Sequence, residues 1–195
     1  MAKIAVTLLN GEDRREAINA LLSNHYAHSV SSGKSYYFGL DGAIVAFSIP
    51  ANKNIAKYLL GHDGVVWELS RLWAPDGHRK NLLTQAISMS VRELVRLEPN
   101  IDAIVSYADP NVGHLGFVYR AASWLYSGQT EDGRYYVDSG GQVVSRHKFH
   151  SGSRFLKKEE ILALGYKELR RPGKHRYVRP ISKKAKRVLA GQWLT

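Results

Sequence analysis

The chain has no cysteine, and its 195 residues contain no long hydrophobic run. Without cysteine there are no disulfides, no thiolate nucleophile and no zinc site with cysteine ligands. No apolar stretch approaches the ~20 residues that a membrane-spanning helix requires, and the N-terminus lacks the apolar segment of a secretory signal. These absences predict a cytoplasmic protein that does not use a membrane as a partner. The hydrophobic content, 44%, is sufficient for one sizeable core.

Acidic residues are scarce in the last part of the chain. Residues 140–195 hold 15 Lys and Arg against 3 Asp and Glu, whereas residues 1–139 hold 13 against 14. The whole excess behind the net charge of +11 therefore lies near the C-terminus. Such a basic block, interleaved with aromatic side chains, favours nucleic acid as the partner over a merely solvated tail. We predict an α/β domain over residues 1–130 and a basic, partly β extension over 131–195 that binds DNA and packs on the core.

Periodicity and turn signals predict the order β-α-β-β-β-α-β-α for the first domain. Residues 35–40 and 43–49 read as strands around Asp41-Gly42, and residues 81–97 carry apolar side chains at helical spacing. This is the order of the GNAT acyltransferase fold, an α/β (α+β) mixed sheet flanked by helices. In the extension, residues 166–170 and 176–180 flank a Pro-Gly turn and predict a hairpin.

The segment before the long helix occupies the position where a GNAT fold holds its acyl donor. There a Gly-rich loop normally presents backbone amides to the phosphates of coenzyme A. Residues 75–82 contain one early glycine, with Leu82 about where a second is expected, so the loop is atypical. Arg79, Lys80 and Asn81 are the candidate cofactor-binding residues. The cofactor is left open: acetyl-CoA or another acyl donor is one candidate, and the atypical loop argues against it.

Polar side chains interrupt the predicted strands at two places. Asp109 follows the apolar run 101–105, at the strand end where open α/β sheets place their chemistry, although Asp-Pro also favours a structural Asx turn. Glu68 and Arg71 interrupt another apolar strand, and a separation of three residues predicts that they face opposite sides. We assign Arg71 to the cleft. His25-Tyr26, after the first helix, offers a group that titrates near neutrality beside a phenol.

Several motifs recur in an order that points to one family. They are His25-Tyr26, Glu-Leu-x-Arg at 68–71, Asn81, Ser-Tyr-Ala-Asp at 106–109, and Gly-His-x-Gly-x-x-Tyr-x-Ala-x-x-Trp at 113–124. In this order and spacing the chain resembles the Mom family of phage DNA-modification proteins, GNAT-related enzymes that add a carbamoylmethyl group to adenine N6. The resemblance implies modification of adenine in phage DNA to N6-carbamoylmethyladenine inside the host cell, and protection from host restriction.

The resemblance and the residue types together give a set of catalytic candidates, namely His25, Tyr26, Arg71, Ser106, Asp109 and Tyr119. Tyr119 lies where GNAT enzymes often carry a tyrosine near the leaving thiol. His25, Tyr26 and Asp109 also offer nitrogen and oxygen ligands that suit iron, although their spacing fits no named metal motif.

Double-stranded DNA is the expected partner, and a homodimer is left open. Alkylation of N6 in a duplex requires the base to be extruded into an aromatic-lined pocket. The DNA-binding candidates are Tyr37, Arg170, Arg171, Lys174, Arg176, Lys183 and Lys184. Two alternatives stay open: an acyl-CoA-dependent N-acyltransferase on another amine, and a non-catalytic DNA-binding protein with the same fold.

Overall fold

A seven-stranded mixed sheet forms the centre of the computed structural model, which describes residues 5–151 and 153–192. The helices are α1 (Gly11–Asn24), α2 (Ile55–Leu60), α3 (Leu82–Leu97), α4 (Phe117–Ala121), α5 (Lys158–Ala163) and α6 (Lys183–Gln192). The strands are β1 (Thr7–Leu8), β2 (Ser35–Leu40), β3 (Ala43–Ser48), β4 (Val66–Trp73), β5 (Ala103–Ala108), β6 (Leu125–Gln129), β7 (Gly133–Val137), β8 (Val143–Ser145), β9 (His150–Ser151), β10 (Arg154–Phe155), β11 (Lys167–Arg171) and β12 (His175–Pro180). The main sheet has the order β1-β2-β3-β4-β5-β12-β6. The predicted GNAT-like arrangement of a mixed sheet between helices is confirmed.

Helices cover both faces of this sheet. On one face, α3 buries Leu82, Ile87 and Leu94 in a core that includes Phe38 and Trp67. Each fully buried aliphatic or aromatic side chain of this kind contributes about 1.5–3 kcal/mol relative to an exposed one. On the other face, α1 packs over β2 and β3, and α2 packs with α6. Within the described residues, no helix has the length and apolar character to cross a membrane.

The parallel strands β4 and β5 pair over only part of their length. Their register runs from Val66 opposite Ala103 to Leu69 opposite Ser106, where the Ser106 hydroxyl donates to the Leu69 carbonyl at 2.8 Å. β4 continues to Trp73 without β5 as a neighbour. The two strands therefore diverge at their carboxyl ends and leave a gap in the sheet.

A β-bulge in β4 corrects the prediction that Glu68 and Arg71 face opposite sides. Glu68 lies opposite Ser48 of β3, whereas Arg71 lies opposite Ala46, so Ser70 is the extra residue. Residues two apart on β3 point the same way, and their partners on β4 do too. The bulge therefore brings the carboxylate and the guanidinium to one face, beside the gap.

The C-terminal segment divides between two sheets, so the predicted hairpin of residues 166–170 and 176–180 is wrong. β11 pairs with β7 in a three-stranded sheet, whereas β12 returns to the main sheet between β5 and β6. Side-chain burial explains the separation: Tyr177 and Val178 are buried in the central cores. Residues 131–195 thus supply a central strand as well as the second sheet.

Candidate active site

The gap between β4 and β5 opens into a cavity of about 270 Å³. Its lining joins the end of α1 on one face of the sheet to the start of α3 and to α4 on the other. The lining residues are His25, Tyr26, Leu69, Ser70, Leu72, Leu83, Tyr107, Ala108, Gly113, His114, Leu115, Gly116, Phe117, Val118 and Tyr119. We call this cavity the cleft. It passes through the sheet, so two reactants can approach each other from opposite faces.

His25 and Tyr26 stand at the entrance that α1 forms. The His25 and Tyr26 rings are stacked with centroids 4.4 Å apart, and Tyr26 lies 5.1 Å from the ring of His114. Burial, followed by the charge of Arg71, lowers the pKa of His25 to about 4. His25 Nδ1 accepts a hydrogen bond from the Ala27 N–H at 3.1 Å. His25 is therefore neutral near pH 7, with its proton on Nε2, which makes it a hydrogen-bond donor.

Asp109 is buried just beyond β5, and its carboxylate is already well bonded. One oxygen accepts from the backbone N–H of Asn111 at 3.0 Å and from Asn111 Nδ2 at 2.9 Å, and the other lies 3.2 Å from Lys174 Nζ. Burial acts to raise the pKa of Asp109, but the Asn111 hydrogen bonds and the Lys174 charge outweigh it, and the pKa is lowered. The Asx turn is therefore present, and Asp109 is a fixed anion.

Lys174 was predicted to contact DNA, but its ammonium group is turned toward Asp109. The β11–β12 loop that carries it is fixed to the chain after β6, because the Lys174 N–H donates to Thr130 Oγ1 at 2.9 Å and the Gly173 N–H to Asp132 Oδ1 at 3.1 Å. At Gly173 a Cβ would lie 1.9 Å from the Thr130 carbonyl oxygen, so only glycine allows this approach. In the sequence, Lys174 is one of many basic residues and nothing sets it apart. Its position beside Asp109 depends on the close approach of Gly173 to Thr130.

Glu68 lies on β4 beside the cleft, next to the lining residue Leu69, and the sequence assigned it no role. Burial raises the pKa of its half-buried carboxyl, while the charges of Arg71 and Lys174 act in the opposite direction. Among the described residues no hydrogen-bond donor is bound to it. Arg71 instead donates to the carbonyl of Ser29 at 2.6 Å and to its hydroxyl at 2.8 Å, which holds the segment after α1 against β4. The sequence signal that could have identified Glu68 as a functional candidate is an acidic residue inside an apolar strand.

Tyr119 lines the cleft, and Ser106 is buried on β5 beside it. Burial raises the pKa of Tyr119 to about 12, so the phenol stays protonated. Ser106 acts to lower the pKa of Tyr119, but burial outweighs it, and the Ser106 hydroxyl donates to the Leu69 carbonyl at 2.8 Å. This places a fixed phenol on the α4 side of the cleft.

The predicted donor-binding residues lie at the start of α3, next to the same side of the cleft. Lys80 and Asn81 are exposed, and Asn81 has φ +63° directly before the first helical residue. Arg79 is committed to protein contacts: it binds Asp41 Oδ2 through two nitrogens, at 2.9 and 3.0 Å, and Gln85 at 2.7 Å.

Two predicted DNA contacts are wrong because their side chains are interior. Tyr37 is 2% exposed and packs with Leu21 of α1, since helices cover both faces of β2. Arg176 is buried on β12, where it donates to the Ser127 carbonyl at 2.6 Å and to the Tyr58 hydroxyl at 2.8 Å. Both positions were predicted from residue type alone, without knowledge of which sheet face is covered.

The other four predicted DNA contacts lie on the outer surface of the C-terminal segment. Lys183 and Lys184 are exposed at the start of α6. Arg170 is exposed on β11 near Glu168, and Arg171 lies 5.3 Å from the centre of the Tyr135 ring. Within residues 5–151 and 153–192, no three His, Cys, Asp or Glu side chains are grouped to hold a metal ion, so the geometry adds no support for iron.

Comparisons with other proteins agree with this architecture. The Methylcarbamoylase mom of Escherichia phage Mu is 28% identical over 130 residues, which cover 63% of this chain and about half (51%) of that protein's length. The structure of Arabidopsis thaliana NAA60 in complex with acetyl-CoA matches with a TM-score of 0.51 and 12% identity over 92% of this chain and 100% of that one. Aminoglycoside N-acetyltransferase AAC(6')-Ib11 matches with a TM-score of 0.51 and 13% identity over 95% and 99% of the two chains.

The two structures establish the GNAT-like fold. The family model described as the Mom protein family matches residues 8–194, nearly the whole chain. The chain therefore belongs to the Mom protein family.

Proposed function

We propose that this protein is a phage DNA-modification transferase that converts adenine in double-stranded DNA to N6-carbamoylmethyladenine and so protects the DNA from host restriction. Membership of the Mom family and the similarity to a methylcarbamoylase support this function. The structural observation that carries it is the cleft through the sheet, with titratable side chains on one face and a protonated phenol on the other.

The α1 side of the cleft is the acceptor side in this proposal. His25, neutral and carrying a proton on Nε2, is suited to donate a hydrogen bond to a ring nitrogen of an extruded base. Tyr26 presents an aromatic ring that is 39% exposed, on which a base can stack. Arg71 keeps the segment after α1 in place through Ser29.

The exocyclic amine of adenine is a weak nucleophile because its lone pair is delocalised into the ring. A group near it must take a proton as N6 forms its bond to the carbon of the donor and the bond from that carbon to the leaving group breaks. Glu68 fits this role better than Asp109, because its pKa is raised and its oxygens are not engaged by donors in the described chain. Asp109, with a lowered pKa, instead holds Lys174 and Asn111 in place.

The α3–α4 side of the cleft is the donor side. A donor carried on coenzyme A fits it in part: Leu83, Phe117 and Val118 give an apolar wall for the arm that carries the transferred group, and Lys80 stands exposed near the start of α3 for a phosphate. N6 must bond to the methylene carbon of the carbamoylmethyl group, so such a donor would supply that carbon on its sulfur as a thioether, with the thiol as the leaving group; a thioester would give an amide instead. Tyr119 is the chain's own proton donor at this side, since its phenol stays protonated.

Mass spectrometry of nucleosides tests the proposal directly. Plasmid DNA is digested from cells that express the wild type, Glu68→Gln, Asp109→Ala, or the exposed-surface control Lys53→Gln. We expect deoxyadenosine plus a carbamoylmethyl group with the wild type and the control, and loss of this product with the Glu68 and Asp109 variants. Unmodified deoxyadenosine in all four samples, with the proteins folded and bound to DNA, would overturn the function.

An acyl-CoA-dependent N-acyltransferase for another amine is the second candidate, favoured by the fold shared with the acetyl-CoA complex of NAA60. Incubation of the purified protein with acetyl-CoA and a panel of polyamines, peptides and nucleosides distinguishes the two. Free thiol release with a non-nucleic-acid amine, without any change in DNA, would replace the first function by this one.

A further inference from the structure

A second cavity, of about 510 Å³, lies between the second half of α3 and the junction of β12 with α6. Its rim carries four basic side chains, Arg92, Arg96, Arg179 and Lys186. Its floor is apolar and is formed by Val91, Val95, Leu125, Pro180 and Ile181. We call this cavity the rear groove.

The rear groove is separate from the cleft. Arg179 and Pro180 pair with Ile104 and Ala103, at the beginning of β5, whereas the cleft lies at the other end of that strand, by Ala108. At about 3.3 Å per residue, the two sites are separated by roughly 15 Å along β5. A ligand in the rear groove therefore does not touch the reacting groups.

The positive charge of the rear groove is only slightly compensated. Glu93 pairs with Arg96 at 2.8 Å, and Arg179 donates to the Ser123 carbonyl at 2.9 Å. In the part of the chain that the structure describes, Arg92 and Lys186 have no ion-pair partner. Lys183 lies one helical turn before Lys186 and is exposed, so the basic surface continues onto α6.

We propose that the rear groove binds the phosphodiester backbone of DNA, as a contact surface distinct from the cleft. This inference rests on the proposed function, which makes DNA the polyanion that the enzyme meets. Exposed cations on two elements present charge to successive phosphates, and the apolar floor between them offers contact to deoxyribose. Phosphate contacts of this kind supply affinity and position a protein on DNA without reading its sequence.

Fluorescence anisotropy with a 40-base-pair duplex over a series of salt concentrations tests the rear groove. The double variant Arg92→Gln with Lys186→Gln removes two unpaired surface charges. We expect its affinity near 0.1 M salt to fall about tenfold, and the slope of log K against log salt to decrease by about 2. The control, Arg15→Gln with Lys53→Gln, removes two exposed charges elsewhere, of which Arg15 is paired with Glu12, and should leave the slope within about 0.5 of the wild type.

The outcomes separate the inference from the function on which it rests. Equal slopes for the groove and control variants would overturn the rear-groove proposal. Selective loss of affinity in the groove variant, with full modification of adenine at saturating DNA, supports both. Selective loss of affinity without any modified adenine in the wild type supports the rear groove and removes the proposed function. A wild type that does not bind the duplex overturns both.

Discussion

Lys174 and Asp109 form an ion pair that joins the C-terminal segment to the end of β5, with 3.2 Å between Nζ and Oδ2. Asn111 strengthens the junction, since its side-chain amide donates to both Asp109 and the Pro172 carbonyl. The loop that carries Lys174 follows directly after the basic strand β11. The segment with the excess positive charge therefore contributes a side chain to the candidate active site as well as an outer surface.

Replacement of Lys174 by Met should slow adenine modification by about 10- to 100-fold, because the buried Asp109 carboxylate loses its cation and the loop shifts. Lys174 is a positioning residue in this argument, so DNA affinity should change by less than about threefold. Single-turnover rates and anisotropy measure the two quantities. Lys184→Met, on the exposed start of α6, should show the opposite pattern. Normal turnover with weakened binding in Lys174→Met would make Lys174 an outer DNA contact instead.

Replacement of Glu68 by Gln should lower the modification rate by about 10²- to 10⁴-fold, with thermal stability preserved, because a general base is lost and a half-buried charge is removed. The pKa of Glu68 is raised, and the group acts only when deprotonated. The wild-type rate should therefore rise with pH through a pKa above the ordinary carboxyl value. A pH–rate profile of both proteins checks this. An unchanged acidic limb in Glu68→Gln would assign the base to another group.

The strands and helices of the core were predictable because their signals are local. Asp41-Gly42 turns β2 into β3, and the apolar spacing of residues 82–94 gave α3 within one residue of its start. The destination of β12 was not predictable, since insertion between β5 and β6 depends on contacts far apart in sequence. A Pro-Gly turn between two strands predicts a hairpin, and only tertiary packing shows that the strands separate.

Part of the candidate site could also be predicted, because several of its residues belong to local sequence motifs. His25, Tyr26 and Tyr119 line the cleft, Ser106 lies buried beside it, and the motifs had marked each of them. The sequence did not predict that Glu68 and Arg71 face the same side of the sheet, because a single bulge residue reverses the alternation that an ideal strand predicts. The sequence did not predict that Lys174 lies against Asp109, because this contact depends on the conformation of the β11–β12 loop.

Gly116 allows the loop before α4 to pass closely over Tyr177. Its φ is +77°, and a Cβ there would lie 2.1 Å from a ring carbon of Tyr177. Gly116→Ala should therefore destabilise the protein by about 3 kcal/mol, the sum of backbone strain and displacement of the ring. Gly113→Ala is the matched control, because Gly113 has φ +79° and open space around the Cβ position. It should cost about 1 kcal/mol. Urea denaturation of the two variants measures the difference, and equal losses would show that the contact with Tyr177 has no cost.

His25 makes the stability of the fold depend on pH. Its pKa is about 4 in the folded protein against an ordinary value of 6.5, so the unfolded chain binds more protons between these values. Stability should be unaffected by His25 above about pH 6.5 and should decrease as the pH falls toward 4. With an allowance for solvent screening, the loss amounts to about 2 kcal/mol. Denaturation with urea at pH 7 and pH 4.5 measures this loss of stability.

The variant His25→Asn is the control, because its side chain cannot titrate, yet its side-chain oxygen can accept the hydrogen bond from the Ala27 N–H. If burial of a neutral imidazole causes the dependence, this variant loses less stability than the wild type on acidification; parallel curves would assign the dependence to other groups.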